Sequence, residues 1–354
     1  MSTTTEQAAG CALRLWDAVV DGDEDRAAEV VLGALAGGLD AETVLLDVVG
    51  AVQRRVGAEW AANHLTVAQE HAATAINERV VSSLAATVER PPVSRGRITV
   101  SCVDGEWHAL PARLLAEVLK LRGFRVDYLG AQVPAPHLIT HLHSTGPDAV
   151  ALSGSLATRL PTAHATITAC QATGVPVVVG GAAFGPDGRF VRLLGADVWA
   201  PDARAAADRL STGPLPRPRG GYQPIDHLPH LGDQEYTMVS RTSGQLVKAL
   251  YTGLERRIPA MASYTELQRQ HTAEDLAHIV DFFATALYTD DDALFTGFLT
   301  WTADVLGARG VPAGHLLPAL ALLATELHDF PRARRILDAA RDELSRALSP
   351  GPAA

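Results

Sequence analysis

Apolar positions recur at the three- and four-residue spacing of amphipathic helices through residues 10–90, beginning with Leu13 and Trp16. Helices with one apolar face bury that face against each other, so this stretch predicts a small helical bundle. Thr66 is followed three residues later by Gln69, which is the spacing of a capping box and predicts that the last helix begins just after Thr66. We expect four helices in this bundle.

Residues 97–211 alternate between continuous apolar runs and helical segments. Continuous apolar runs are typical of strands buried on both faces, and their alternation with helices predicts a doubly wound parallel sheet. Ligands of such sheets bind beyond the carboxyl ends of the strands, near the switch point. The predicted strands are Ile98–Val103, Arg125–Leu129, Ala149–Ser153, Val175–Val179 and Asp197–Ala200.

The remaining part of the chain, residues 222–348, is helical in composition. Breaks rich in Pro and Gly at residues 90–94 and 213–221 predict three segments, 1–92, 93–213 and 214–354. The predicted fold class is therefore α/β with all-α flanks. The predicted C-terminal helices are Gln245–Arg256, Tyr264–Leu287, Asp291–Leu306, His315–Leu327 and Pro331–Leu348.

Composition narrows the function classes. A formal net charge of −10 argues against direct nucleic-acid binding. The three widely spaced cysteines form no metal motif and favour a reducing, cytoplasmic location. No apolar run reaches the length of a membrane span, and we find no catalytic motif, so we expect neither a membrane protein nor an enzyme.

Three loops of the predicted sheet carry candidate binding residues. The first strand is followed by Glu106-Trp107-His108, the third ends at Ser153 and continues to Ser155, and the fourth is followed by Gly180-Gly181. Taken singly, such motifs are usually turns. In this order, they resemble the Rossmann-like domain of B12-binding proteins, from which the chain departs at Pro111, where that family usually has Gly.

This resemblance implies a role for each loop residue. His108 would be the lower axial ligand of cobalt, and a neighbouring carboxylate, Glu106 or Asp104, would fix the tautomer of its ring. The same loop contributes Trp107 to the cofactor site. Hydroxyls of the two serines would contact the nucleotide tail of cobalamin, and the two glycines would let the backbone approach that tail.

The helical bundle contains a second motif, Trp60 followed after nine residues by Glu70-His71. This spacing resembles the helical cap of B12-dependent photoreceptors, in which these residues cover the upper cobalt ligand. The resemblance implies an N-terminal four-helix cap over adenosylcobalamin. Known members carry a His directly after the Trp, whereas this chain has Ala61.

The C-terminal helices resemble globin-like sensor domains, and the whole architecture resembles the photocobilins, which pair adenosylcobalamin with a bilin. That resemblance implies a biliverdin site in the C-terminal helices, which we place at Tyr264, His278 and Trp301. Further candidate ring contacts are His271, Phe295 and His315. Aromatic residues at helical spacing are more often part of a core.

The sequence therefore predicts a light-sensing signalling protein that acts through a homo-oligomer or a separate partner protein. Two alternatives stay open. One is a corrinoid methyl-carrier protein that serves a methyltransferase. The other is a haem-binding gas sensor with His271, His278 or His315 as the proximal ligand.

Overall fold

The computed structural model describes residues 3–218 and 228–349. The chain divides into two compact units, Met1–Gln223 and Pro224–Ala354. Of the predicted break at residues 213–221, residues 219–221 lie outside the described part. The segments that we predicted to form the helical bundle and the sheet both belong to the first unit.

Four helical rods form the N-terminal part of the first unit, which confirms the predicted bundle. In the third rod, two α-helices and a π-helical turn follow each other without a break. The elements are α1 (Thr3–Val20), α2 (Glu24–Ala36), α3 (Ala41–Thr43) with the π-turn Val44–Val49 and α4 (Gly50–Ala61), and α5 (Val67–Thr87).

Short polar side chains begin three of these rods. Asp23 and Asp40 each accept a hydrogen bond from a backbone N–H three residues later, at the starts of α2 and α3. Thr66 and Gln69 form the predicted capping box at the start of α5. Because the first N–H groups of a helix have no partner within the helix, these bonds fix where each rod begins.

Five parallel strands form one sheet, as predicted. They are β1 (Arg97–Cys102), β2 (Arg125–Gly130), β3 (Ala149–Ser153), β4 (Val177–Gly180) and β5 (Val198–Ala200). Their order is β2-β1-β3-β4-β5, and each neighbouring pair is parallel. The strand order reverses between β1 and β3, so the switch point of this doubly wound sheet lies at their carboxyl ends.

The sheet is flanked by α6 (Ala109–Leu121), α7 (Ala135–Thr145), α8 (Leu160–Ala172), α9 (Arg189–Leu193) and α10 (Ala203–Ser211). One continuous hydrophobic core includes buried residues of the bundle, of β1 and of α6 and α10. At its edge, Arg122 pairs with Glu42 of α3 at 2.8 Å, and Arg204 of α10 pairs with Asp47 of the π-turn at 2.9 Å. The bundle and the sheet are thus held together by apolar packing with ion pairs at the rim.

The second unit is helical, as predicted. Its helices are α11 (Glu235–Arg257), α12 (Glu266–Thr289), α13 (Asp292–Ala308), α14 (Leu316–Glu326) and α15 (Pro331–Leu348). The predicted start of α11 was wrong, because this helix begins at Glu235, ten residues before the predicted Gln245. The resemblance to globins stays a prediction.

Tertiary contacts explain the early start of α11. Its first residues include Thr, Ser and Gly, which are poor helix formers. Glu235 is nevertheless buried, and its carboxylate accepts hydrogen bonds from the backbone N–H groups of Arg332 (3.0 Å) and Ala333 (2.6 Å). The start of α11 therefore caps α15, and this contact outweighs the local propensity.

Within the described residues, no helix is both long and apolar enough to cross a membrane.

The turn after β4 requires glycine, which gives a stability prediction. Gly181 has φ +100°, and a Cβ atom there would lie 2.3 Å from the carbonyl oxygen of Gly154. Gly174 also has a positive φ, +82°, but a Cβ atom there would meet nothing within 4 Å. Both alanine substitutions cost backbone strain, and only Gly181→Ala adds a clash.

We expect Gly181→Ala to lower the free energy of unfolding by about 1–3 kcal/mol more than Gly174→Ala does. Urea denaturation followed by circular dichroism measures both values. Equal losses for the two variants would contradict this account of the turn.

Candidate functional site

Three loops meet at the carboxyl edge of the sheet, beside the switch point. The loop after β1 is joined to β3 by the hydrogen bond from Val103 N–H to the Ser153 carbonyl (2.9 Å). The turn after β3 is joined to β4 by the bond from Gly154 N–H to the Gly180 carbonyl (3.0 Å). The structure therefore brings together the three loops that the sequence singled out.

Glu106 lies at the centre of these loops and is fully buried. Its Oε1 atom accepts hydrogen bonds from the backbone N–H of His108 (3.0 Å) and from His108 Nδ1 (2.5 Å). Its Oε2 atom accepts from the N–H groups of Ser155 (2.7 Å) and Leu156 (3.0 Å). One carboxylate thus links the loop after β1 to the turn after β3.

The hydrogen bonds to Glu106 decide its charge. Burial by itself would raise its pKa, but the bonds from His108, Ser155 and Leu156 prevail and lower the pKa to about 2. A carboxyl group with a lowered pKa stabilises the fold above its ordinary pKa, and this contribution is lost as the pH falls toward 2. Glu106 is therefore a carboxylate at neutral pH and accepts hydrogen bonds only.

This charge also fixes the tautomer of His108. Because a carboxylate cannot donate, Nδ1 carries the proton toward Glu106, and Nε2 keeps its lone pair. The indole N–H of Trp107 donates to this Nε2 atom at 3.0 Å. The imidazole is about two-fifths exposed. A partly exposed Nε2 lone pair, backed by a carboxylate, is the arrangement that a metal-ligating histidine requires.

Neighbouring groups hold the His108 backbone in place. The thiol of Cys102 lies 3.6 Å from the His108 carbonyl, and the Tyr128 hydroxyl donates to the carbonyl of the next residue, Ala109, at 3.3 Å. His108 immediately precedes α6, and Pro111 lies in the first turn of that helix. Pro is tolerated there because the first N–H groups of a helix need no internal partner.

Asp104, the other carboxylate considered for His108, has a different partner. Its Oδ2 atom accepts a hydrogen bond from the N–H of Ala135 at 3.0 Å, at the start of α7. It therefore anchors the loop to the following helix.

The serines and glycines make contacts within the protein. Ser153 is buried, and Ser155 contributes its backbone N–H to Glu106. A Cβ atom on Gly180 would lie 2.9 Å from the Ala200 carbonyl oxygen, and one on Gly181 would lie even closer, 2.3 Å, to the Gly154 carbonyl oxygen. These glycines are thus required by neighbouring backbone. Contacts of the four residues with a nucleotide tail stay a prediction.

The cap residues lie on either side of the connection between α4 and α5. Trp60 is in the last turn of α4 and packs, half-buried, against the bundle core. Glu70 and His71 lie in the first turns of α5, with His71 Nδ1 2.6 Å from Glu70 Oε2. The Glu70 side chain is about one-quarter exposed, whereas the His71 side chain is largely exposed.

Sequence reasoning missed the residues behind Glu70. Thr74 donates to Glu70 Oε1 at 3.0 Å, the side-chain amide of Gln53 donates to Thr74, and the amide of Asn77 donates to Gln53. The spacing of residues 70, 74 and 77 indicates one shared face of α5, but it does not identify Gln53 on α4 as their partner.

In the second unit, one of the three predicted bilin residues, Trp301, belongs to a row of aromatic rings. Phe282 and Phe298 stack with ring centroids 3.8 Å apart, and Phe298 lies 6.3 Å from the exposed Trp301. His278 lies one turn before Phe282 on α12 and therefore borders the same aromatic row. Tyr264 precedes α12, roughly 20 Å along the helix direction from His278.

The remaining candidates in this unit differ in their burial. Phe295 is fully buried against Phe283, and its role as a ring contact stays a prediction. The three candidate haem ligands, His271, His278 and His315, are not buried.

Comparison with known proteins agrees with the arrangement of the first unit. Models of the B12 binding domain match residues 96–210 and, separately, residues 12–85. The structure of the monomethylamine corrinoid protein of Methanosarcina barkeri is similar, with a TM-score of 0.50 at 22% identity over 56% of this chain and 96% of that chain. This similarity confirms the fold of the module.

Two kinds of curated relative were found. Trimethylamine corrinoid protein 1 of Methanosarcina mazei is 24% identical over 206 residues, which are 56% of this chain and 94% of that protein. The HTH-type transcriptional repressor CarH of Myxococcus xanthus is 36% identical over 134 residues, which are 36% of this chain and 43% of CarH. Residues 12–85 and 96–210 together form a cobalamin-binding module in which a helical domain accompanies a parallel-sheet domain.

Proposed function

We propose that this protein is a light-sensing signalling protein that binds adenosylcobalamin, with His108 as the lower axial ligand of cobalt. The observation that carries the proposal is the buried Glu106 carboxylate, which holds His108 Nδ1 at 2.5 Å and leaves Nε2 with its lone pair. Adenosylcobalamin supplies a cobalt–carbon bond that light can break.

Different residues would contact different parts of adenosylcobalamin. His108 would take the lower position of the cobalt, while Trp107, which now donates to Nε2, would give up that bond to the metal. The loops at Ser153, Ser155, Gly180 and Gly181 would receive the nucleotide tail.

On the upper side, Trp60 would cover the adenosyl group, with Glu70 and His71 beside it. Loss of that group in the light would remove a contact of Trp60 and change the packing of the bundle. Because Ala61 has no metal-ligating side chain, it cannot take the upper cobalt position after illumination.

A corrinoid methyl carrier for a methyltransferase is the second candidate. The trimethylamine corrinoid proteins favour it, since the match covers nearly their whole length. The higher identity to CarH, which is named as a repressor, favours signalling. The preference for an adenosyl over a smaller upper ligand distinguishes the two.

We also propose that the second unit binds biliverdin along the aromatic row formed by Phe282, Phe298 and Trp301. Flat stacked rings offer a surface for a conjugated tetrapyrrole. His278 would contact the pyrrole nitrogens. Tyr264, which precedes α12, stays a separate candidate contact.

The signal would pass to a homo-oligomer or to a separate signalling partner, without direct contact to nucleic acid and without catalysis by this chain. A cytoplasmic location is supported by the three buried free cysteines.

The first prediction from the proposed function tests the cobalt ligand. His108→Ala should shift the spectrum of bound cobalamin toward the form without an axial nitrogen from the protein, and it should weaken binding at least about tenfold. His143→Ala, which changes an exposed histidine in the last turn of α7, is the control. Absorption spectra and equilibrium titration measure both effects. An unchanged spectrum and affinity for His108→Ala would remove the assignment.

The second prediction tests the cap. In the dark, the protein should bind adenosylcobalamin more tightly than hydroxocobalamin, and illumination should convert the spectrum and change the packing around Trp60. Trp60→Ala should reduce the preference by about 1–3 kcal/mol because an aromatic contact is lost, whereas Trp60→Phe should keep most of it. Equal dark affinities for the two cobalamins in the unmodified protein would contradict the light-sensing function.

The third prediction tests the second unit. The full chain should take up biliverdin and show an absorption band in the red. Trp301→Ala should weaken that uptake, and Leu267→Ala, which changes another exposed apolar residue, should leave it unchanged. If the full chain takes up no biliverdin, with or without cobalamin, the bilin proposal fails.

A further inference from the structure

A chain of hydrogen bonds runs from the interior of the helical bundle to Glu70. Asn77 Nδ2 donates to Gln53 Oε1 at 2.8 Å, and Gln53 Nε2 donates to Thr74 Oγ1 at 2.8 Å. The Thr74 hydroxyl then donates to Glu70 Oε1 at 3.0 Å. The chain connects α4, which carries Gln53, with α5, which carries the other three residues.

Every bond in this chain donates toward Glu70. A hydroxyl that donates to a carboxylate has its lone pairs left to accept, so Thr74 requires an N–H from Gln53. Gln53 must then present its carbonyl to Asn77. The negative charge of Glu70 thus sets the orientation of both amides, and bonds aligned in this way polarise one another.

Asn77, the first donor in this chain of hydrogen bonds, lowers the stability of the fold. Asn77 is fully buried, and within the described residues its Oδ1 atom has no hydrogen-bond partner. The neighbouring buried positions of α5 are apolar, among them Ile76, Val80 and Val81. An unpaired buried carbonyl destabilises a fold, so a leucine of similar size would suit this site better for packing alone.

We infer that Asn77, Gln53 and Thr74 are positioning residues that hold the Glu70 carboxylate and thereby set the preference for a cobalamin whose upper ligand carries hydroxyl groups. This inference rests on the proposed function. Thr74 takes one lone pair of Glu70 Oε1, and His71 lies against Oε2. The remaining lone pairs of the carboxylate can accept from a ribose hydroxyl, whereas a methyl ligand offers no such donor.

The substitution Thr74→Val tests the inference, with Thr74→Ser as its matched control. Valine keeps the shape and removes the hydroxyl, while serine keeps the hydroxyl. We expect Thr74→Val to lower the ratio of adenosylcobalamin to methylcobalamin affinity about three- to tenfold, and Thr74→Ser to preserve it. A role in folding alone would weaken the binding of both cobalamins equally, so an unchanged ratio in Thr74→Val would overturn the inference.

The substitution Asn77→Leu separates the effect on stability from the effect on the preference for adenosylcobalamin. Without the Asn77 N–H, the Gln53 amide is free to turn its carbonyl toward Thr74. We expect the affinity ratio to fall while the resistance to urea stays equal or increases. If Asn77→Leu lowers the resistance to urea and leaves the affinity ratio unchanged, Asn77 is a purely structural residue. That result would contradict its role in positioning Glu70.

A second measurement tests whether the hydrogen-bond chain forms in the absence of cobalamin. In the unliganded protein, Glu70→Gln should shift the side-chain amide resonances of Gln53 and Asn77, because the charge that orients them is removed. Unchanged resonances would contradict the hydrogen-bond chain from Asn77 to Glu70. If they shift but the unmodified protein shows no adenosyl preference, the proposed function and the specificity role both fail, and the hydrogen-bond chain alone stands.

Discussion

The buried carboxylate of Glu106 is the interaction on which the rest of the site depends. A carboxylate in the interior is unstable unless hydrogen bonds replace its hydration. Here four bonds from three residues do so, and they come from two different loops. The same bonds that keep Glu106 charged also fix the ring of His108. Loop geometry, carboxylate charge and imidazole tautomer are therefore one arrangement, and a change in any of them alters the others.

The sheet makes this arrangement geometrically available. The reversal of strand order between β1 and β3 places the loops after these two strands side by side, so that a carboxylate from one can reach N–H groups of the other. Gly181 allows the turn after β4 to pack directly on Gly154 of the loop after β3. The backbone thus supplies donors at fixed positions, and the side chains add a metal-ligating group in front of them.

Much of this could be predicted from the sequence, because the signals were local. Apolar runs gave the strands, the Thr66 and Gln69 spacing gave the start of α5, and the loop order gave the position of His108. The partner of His108 was left open between two carboxylates, since only the folded loops show that Asp104 is bonded to Ala135 instead.

Contacts between elements distant in the chain could not be predicted. Glu235 fixes the start of α11 through a helix that begins almost a hundred residues later. Gln53 and Asn77 were missed for the same reason. The hydrogen-bond partner of a polar residue on an apolar helix face is not known until the neighbouring helix is in place. In the second unit, helical spacing could not distinguish the buried Phe295 from the exposed Trp301.

The most direct test of the central claim is the electron paramagnetic resonance spectrum of the protein with bound cob(II)alamin. The protein is prepared once with ordinary histidine and once with histidine in which both ring nitrogens are ¹⁵N. If His108 Nε2 is the axial ligand, the superhyperfine splitting should change from triplets to doublets on labelling. Triplets that persist in the labelled protein would show that the axial nitrogen belongs to the cofactor itself, and they would contradict the account.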